Sequence, residues 1–254
     1  MLDWNTHLAA IWRQRQAYLR PVRQLDTICL QDLIGIDVQK QRLVHNTQRF
    51  LVGQPANNAL LWGARGTGKS SLVKAILNEF HPQGLRIVEV DKQDLVFLPE
   101  IVDSIRELPQ RFIVYCDDLS FSSDDSHYKS LKSVLEGSIE SRPENILLYA
   151  TSNRRHLLPE KMSENLETVL VGDELHYPDA IEEKISLSDR FGLWLAFYPQ
   201  PMPTYLEIVD SYFKDYAGDR AELHHAALEF AHLRGARSGR TAKQFYNSFV
   251  ELEP

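Results

Sequence analysis

Cysteine is scarce in this chain: Cys29 and Cys116 are the only two among 254 residues. Two cysteines build neither a disulfide framework nor a metal-ligand cluster. Cys116 lies inside an apolar run and reads as a small core residue. Long apolar runs are also missing. No segment is long enough to span a bilayer, and the first residues lack the apolar stretch of a secretory signal. The expectation is a cytoplasmic protein without membrane contact. Positive charge is not in excess either: 28 Lys and Arg stand against 35 Asp and Glu, a net charge of −7. The chain as a whole is therefore no evident nucleic-acid binder, and such a role needs a local basic patch. Internal repeats and low-complexity segments are absent.

What is present is enough apolar material, 43% of residues, for a sizeable core. The length suits one large domain, or a core with a small lid. The chain is organised around residues 59–80, ALLWGARGTGKSSLVKAILNEF. Gly63, Ala64, Arg65, Gly66, Thr67, Gly68, Lys69 and Ser70 match G-x-x-x-x-G-K-[ST], the phosphate-cradling P-loop. The short apolar run before it suits a buried parallel strand. After it, Leu72, Val73, Ile76, Leu77 and Phe80 recur at helical spacing, and Ser71 belongs to that first helical turn. Glycines let the backbone curl with its N–H groups facing a phosphate, and the helix N-terminus adds partial positive charge. In this pattern Lys69 reaches the β- and γ-phosphates of ATP, and the Ser70 hydroxyl joins the shell of a Mg²⁺ ion.

The remaining pattern alternates strands with helices, which predicts an α/β fold with a parallel sheet. Residues 1–24 read as a helix with a partial stripe of Trp4, Leu8, Ile11, Trp12 and Leu19, closed by Pro21. Its arginines, Arg13, Arg15, Arg20 and Arg23, suit a solvated face or a partner contact. Residues 32–53 read as a turn and an amphipathic helix capped by Asp37. Strands are expected over 86–90, 111–116, 145–150 and 192–198, and helices over 99–108 and 127–135. The long stretch 154–189 has weak periodicity, and a connection of that length is often a functional loop. After Pro199-Gln-Pro-Met-Pro203, three helices over 204–216, 219–233 and 238–252 make an all-helical unit. The expected division is an N-terminal helical extension over 1–31, a nucleotide-binding core over 32–202 and a helical lid over 203–254.

Several strand ends carry chemistry. Phe112 to Cys116 ends in Asp117-Asp118. One acid there can hold Mg²⁺ and the next can orient an attacking water, although an acid pair alone is also an ordinary polar strand end. Leu147 to Ala150 leads to Thr151-Ser152-Asn153, whose carboxamide can position that water or merely cap a turn. Arg190, in Leu187-Ser-Asp-Arg-Phe-Gly192, can stabilise transition-state charge on a neighbour's nucleotide or simply pair with an acid. Arg234, Arg237, Arg240 and Lys243 form an acid-free basic stretch around the last helix, capped by Ser238, from which one arginine can reach the nucleotide.

In this order, P-loop, acid-pair strand, Ser-Asn strand, Asp-Arg-Phe-Gly and Arg-bearing helix resemble the AAA+ ATPases over about residues 32 to 250. More closely, ATSNRRHL, LSDRFGLWLAFYP and RSGRTAKQF resemble a bacterial family of uncharacterised AAA+ ATPases. The resemblance implies a five-stranded parallel sheet flanked by helices, with a small helical lid. It implies ATP and Mg²⁺ as cofactors, and Asp117 and Asp118 as the Walker B acids. Asn153 resembles sensor 1, Arg190 the arginine finger, and Arg240 or Arg237 sensor 2. Leu33, Ile34 and Gly35 resemble the segment bordering the adenine. The implied partners are further copies of the chain, in a nucleotide-dependent ring, and a protein or nucleic-acid client. Two departures stand out. Asp118 occupies a position where such proteins usually carry Glu, which motivates an alternative reading as an ATP-gated adaptor or loader with little hydrolysis. The region of the substrate-gripping pore loop reads Leu95-Val-Phe-Leu-Pro99 without glycine, so Phe97 is expected to pack in the core or at a helix entry. A GTPase reading fails for want of the Asn-Lys-x-Asp guanine signature.

Overall fold

Apolar runs of five to seven residues build one sheet, because each is flanked by a turn and followed by material that can cover a face. The computed structural model describes residues 2–121, 131, 143–155, 157, 169–171, 174–176 and 190–250. In chain order the elements are β1 (Ala9–Arg13), β2 (Tyr18–Pro21), α1 (Asp37–Leu51), β3 (Ala59–Gly63), α2 (Lys69–Phe80), β4 (Leu85–Glu89), α3 (Leu98–Ile105), β5 (Arg111–Cys116) and β6 (Ile146–Ser152). They continue with β7 (Val169–Val171), β8 (Glu174–His176), β9 (Leu193–Phe197), α4 (Met202–Tyr212), α5 (Arg220–Leu233) and α6 (Gly239–Val250).

The main sheet has the order β2-β1-β4-β5-β6-β3-β9, and β7 pairs with β8 in a separate antiparallel ribbon. Five strands, β4-β5-β6-β3-β9, run parallel as expected. Alternation along them feeds two cores. Leu60, Val88, Val114 and Leu148 face one side with α3, while Leu61, Ile87, Ile113 and Tyr149 face the other with α1 and α2. The three C-terminal helices bury their own cluster around Tyr205, Val209, Leu223 and Phe245. Phe97 enters α3 and packs beside Trp12, their rings 6.1 Å apart, as the missing glycine suggests. Cys116 is fully buried, and burial pushes its thiol up, so it is an inert core residue.

The N-terminal expectation is corrected. Residues 2–24 form no α-helix: β1 and β2, joined through a 3-10 turn at Gln14–Gln16, extend the five-stranded sheet to seven. Strand β1 adds in parallel to β4, and β2 returns antiparallel to it. The partial apolar stripe yields to the free backbone edge of β4, whose unpaired groups must be satisfied. Ala17, at φ 47°, turns the chain between the two strands, and Pro21 closes the edge strand rather than a helix. Trp4 is buried edge-on against Phe112 at 4.9 Å, and its carbonyl accepts from Arg86 Nε at 2.7 Å. Asp37 is likewise not the cap of α1 but its first residue, ion-paired to Lys40 at 3.0 Å. The helix expected over 127–135 lies outside the described residues, as does most of 154–189.

These contacts make the first residues part of the core. Trp4→Ala is expected to cost about 3–5 kcal/mol in urea unfolding, the usual range for truncating a buried tryptophan. A loss under about 1 kcal/mol, typical of surface sites, would show that the segment is an appendage.

Candidate functional site

The P-loop follows the C-terminal end of β3, and α2 begins at Lys69. The loop is held shut by its own side chains. Thr67 Oγ1 donates to Ala64 O at 2.8 Å. Lys69 is buried, and its ammonium donates to Gly63 O at 2.8 Å, Ala64 O at 2.7 Å and Asn153 Oδ1 at 3.3 Å. Burial lowers its proton affinity. Asp117 and Asp118 act in the opposite sense, while Arg240 and Arg65 add to the lowering.

Strands β5 and β6 bring the predicted acids and amide to the same place. Three hydroxyls, from Ser70 at 2.8 Å, Tyr115 at 2.7 Å and Thr151, donate to one oxygen of Asp117, Oδ1. Burial alone would raise this carboxyl, but those donors outweigh it and hold Asp117 below the usual aspartate range. Asp118, at φ 51°, donates its backbone N–H to Thr151 Oγ1 at 2.9 Å, and its carboxylate accepts from Asn153 Nδ2. The result is a closed polar ring running through Lys69, Asn153, Asp118, Thr151, Asp117 and Ser70. Its donor set fits a small hard cation: a serine hydroxyl and an ionised carboxylate 2.8 Å apart, beside a loop built for phosphates.

The C-terminal helices close over the loop. A methyl at Gly66, where φ is 77°, would lie 2.7 Å from Ser238 Oγ and 3.1 Å from Arg240 Cβ, so glycine is required for this approach. Ser238 is the N-cap of α6 as predicted, accepting from Thr241 N at 3.2 Å. Arg240 stands at the P-loop, within electrostatic reach of Lys69. Arg237 instead meets the chain through its carbonyl, which accepts from Gln200 N at 3.3 Å. Leu33, Ile34 and Gly35 form the seam. Leu33 is buried, Ile34 packs on the helical cluster, and Gly35 at φ 77° leaves room for Thr204 and Gln200. Ile36 reaches within 3.5 Å of a methyl built on Gly68. Ser71 is half-buried in the first turn of α2.

Arg190 is not brought to this cluster. It precedes β9, at the N-terminal end of the parallel strands, whereas the P-loop follows their C-terminal end. A five-residue strand separates the two ends by about 16 Å. The structure also adds a residue that sequence reading passed over. Glu89 ends β4 beside Tyr115, and its carboxyl is raised by burial and then by the charge of Asp117. An acid closing the run Arg-Ile-Val-Glu was the available signal.

Because the folded Asp117 titrates below its unfolded value near 3.8, its charge contributes stability above that pH, and the contribution is lost as pH falls toward the folded value. Wild type should therefore exceed Asp117→Asn in urea midpoint at neutral pH, with the gap closing on acidification. A gap that stays constant through the carboxylate range would show that the three hydroxyls do not favour the anion.

Comparisons with known proteins agree with this fold. The chain is 39% identical to the replication factor C large subunit of Staphylothermus marinus over 64 residues, 25% of this chain and 14% of that one. It is also 39% identical to the same subunit from Ignicoccus hospitalis over 67 residues, 26% of this chain and 13% of that one. The chain thus spans only about a seventh of the length of these curated relatives. Among solved structures, Thermotoga maritima RuvB superposes with a TM-score of 0.51 at 16% identity, over 87% of this chain and 72% of that one. The replication initiator DnaA, bound to AMPPCP and single-stranded DNA, gives 0.55 at 17% identity, over 89% and 65%. At such identities the likeness is one of fold: a mostly parallel α/β sheet flanked by helices with a helical C-terminal region, the AAA+ architecture. A family model matches residues 5–252, and the chain belongs to the family described as Protein of unknown function (DUF815).

Proposed function

We propose that the chain is a Mg²⁺-dependent ATPase whose nucleotide site lies between the α/β core, residues 32–202, and a helical lid, residues 203–254. The observation that carries this reading is the closed polar ring from Lys69 to Ser70. Each member has a part in this reading. The N–H groups of residues 63–71 cradle the phosphates, and Lys69 exchanges its loop carbonyls for phosphate oxygens. Ser70 and Asp117 would hold Mg²⁺, which would supply positive charge to the phosphates. Asp118 and Asn153, already joined, orient the attacking water, and Asp118 takes its proton. Arg240 adds positive charge from the lid, with Arg237 as the alternate. Leu33, Ile34 and Gly35 line the adenine side of the seam.

Arg190 acts on the nucleotide of a neighbouring copy, because its own site is at the other end of the strands. The site is then complete only in an oligomer, and lid movement on hydrolysis passes to a protein or nucleic-acid client. Among the described residues no helix is long and apolar enough to cross a membrane; we place the protein in the cytoplasm. The shorter Asp118, tethered at φ 51°, favours a second reading in which slow hydrolysis makes the chain an ATP-gated adaptor.

Binding of a fluorescent ATP analogue and Mg²⁺-dependent phosphate release test both readings. Lys69→Ala should weaken binding by roughly 2–5 kcal/mol, at least about thirtyfold in Kd; wild-type affinity in that variant would sink the site. Arg190→Ala should leave binding intact and lower turnover per assembled chain by about a thousandfold or more. Equal turnover would remove the shared site, and negligible turnover in wild type at every concentration would favour the adaptor.

A further inference from the structure

Three hydroxyls converge on Asp117, and two of them have reasons of their own to be there. Ser70 completes the P-loop pattern. Thr151 ties β5 to β6, because it also accepts the backbone N–H of Asp118. Tyr115 needs another explanation. It lies on β5 two residues before Asp117, so both side chains leave the same face of the sheet. That face packs on α2, whose first turn carries Ser70. The ring is buried among apolar neighbours, a place that phenylalanine would fill as well. Core packing therefore accounts for the ring but not for the oxygen. A buried hydroxyl is unfavourable unless it is bonded. The Tyr115 hydroxyl gives its one proton to Asp117 Oδ1, at 2.7 Å.

The tyrosine is held firmly. Strand β5 is an inner strand, and Tyr115 stands between Glu89 of β4 and Tyr149 of β6. Its carbonyl accepts from Val90 N at 2.9 Å. A hydroxyl mounted this way presents its proton at a fixed point. All three hydroxyls end on Oδ1 of Asp117, and among the described residues none of them reaches Oδ2. A carboxylate oxygen has two lone pairs. Tyr115 and Thr151 alone fill those of Oδ1, so this oxygen stays closed even when the Ser70 hydroxyl is turned to a cation. What the carboxylate then offers is Oδ2.

We propose that Tyr115 is a positioning residue for the cation site: with Thr151 it closes one oxygen of Asp117, so the carboxylate meets a cation through a single oxygen and favours Mg²⁺ over Ca²⁺. The proposal rests on the ATPase reading above and adds to it a residue that selects the ion. Ligation through one carboxylate oxygen suits Mg²⁺, which is small and demands octahedral geometry. Ca²⁺ gathers more oxygens and often takes both from one carboxylate. Groups that orient a metal ligand from behind typically change metal affinity by about ten- to a hundredfold when removed.

Titrating the full chain and a fluorescent ATP analogue with Mg²⁺ or with Ca²⁺ tests the proposal, in wild type and in Tyr115→Phe, which removes only the oxygen. With enough protein to saturate the analogue, the metal midpoint reads the affinity of the cation site. In EDTA the variant should bind the analogue as wild type does, which shows that it folds and keeps its phosphate loop. Its Mg²⁺ midpoint should rise by about ten- to a hundredfold. Its Ca²⁺ midpoint should move by less than about threefold, since the freed Oδ1 gives that ion a second oxygen. Wild type should need less Mg²⁺ than Ca²⁺, and equal need for both would overturn the proposal without any variant. An unchanged Mg²⁺ midpoint in Tyr115→Phe would also overturn it, as would equal losses for the two ions. A lower urea midpoint with the wild-type Mg²⁺ requirement would assign the hydroxyl to folding alone. The ATPase reading survives each of these results. It falls if wild type binds no analogue with or without metal, and the proposal then falls with it.

Discussion

The Thr151 hydroxyl is the joint on which the site depends. It donates to Asp117 Oδ1 and accepts from the backbone N–H of Asp118, so one atom locks the tip of β5 to the tip of β6. Without it, two adjacent carboxylates at a strand end would repel each other and swing freely. With it, Asp117 is turned toward Ser70 of the P-loop and Asp118 toward Asn153, just after β6. The left-handed backbone at Asp118, φ 51°, is a strained conformation for a residue with a Cβ, and such strain persists only where surrounding contacts impose it. Here the hydrogen bond to Thr151 and the amide of Asn153 are those contacts.

The parallel part of the fold was readable because its signals are local. A short apolar run, a glycine-rich turn and a helical stripe each fix their own element, and the P-loop carries all three within residues 59–80. Strand β5 coincides with its predicted range, Arg111–Cys116, for the same reason: six residues, five of them buried, bounded by turn formers. The acid pair, Asn153 and Arg240 were legible as strand-end and helix-entry residues. Their mutual contacts were not, since Lys69 and Asn153 are 84 positions apart in the chain. That Arg240 Cβ lies beside Gly66 is a packing fact with no sequence signature.

The first twenty-four residues show the limit from the other side. Trp4, Leu8, Ile11 and Trp12 satisfy a loose helical stripe almost as well as strand alternation, and nothing local decides between them. The decision is tertiary. Strand β4 presents an open edge, and β1 fills it in parallel with Ala9, Ala10 and Ile11 opposite Ile87, Val88 and Glu89. Propensity is a weak prior beside a row of unpaired backbone groups. Filling that edge also buries Arg86, whose guanidinium is satisfied by the carbonyls of Trp4, His81 and Leu85. The N-terminal hairpin thus leaves β2 as the outer strand, blunted by Pro21, at the far side of the sheet from β9.

Strand direction has a consequence for how a site of this kind can be completed. In a parallel sheet every chemically useful loop emerges at the C-terminal end, and that is where the P-loop, Asp117, Asp118, Asn153 and Glu89 gather. Residues entering a strand are carried to the other end, and Arg190 enters β9. A strand of about 16 Å is too long for an arginine side chain to reach back across. An arginine in that position can therefore meet a phosphate of this type only on another molecule.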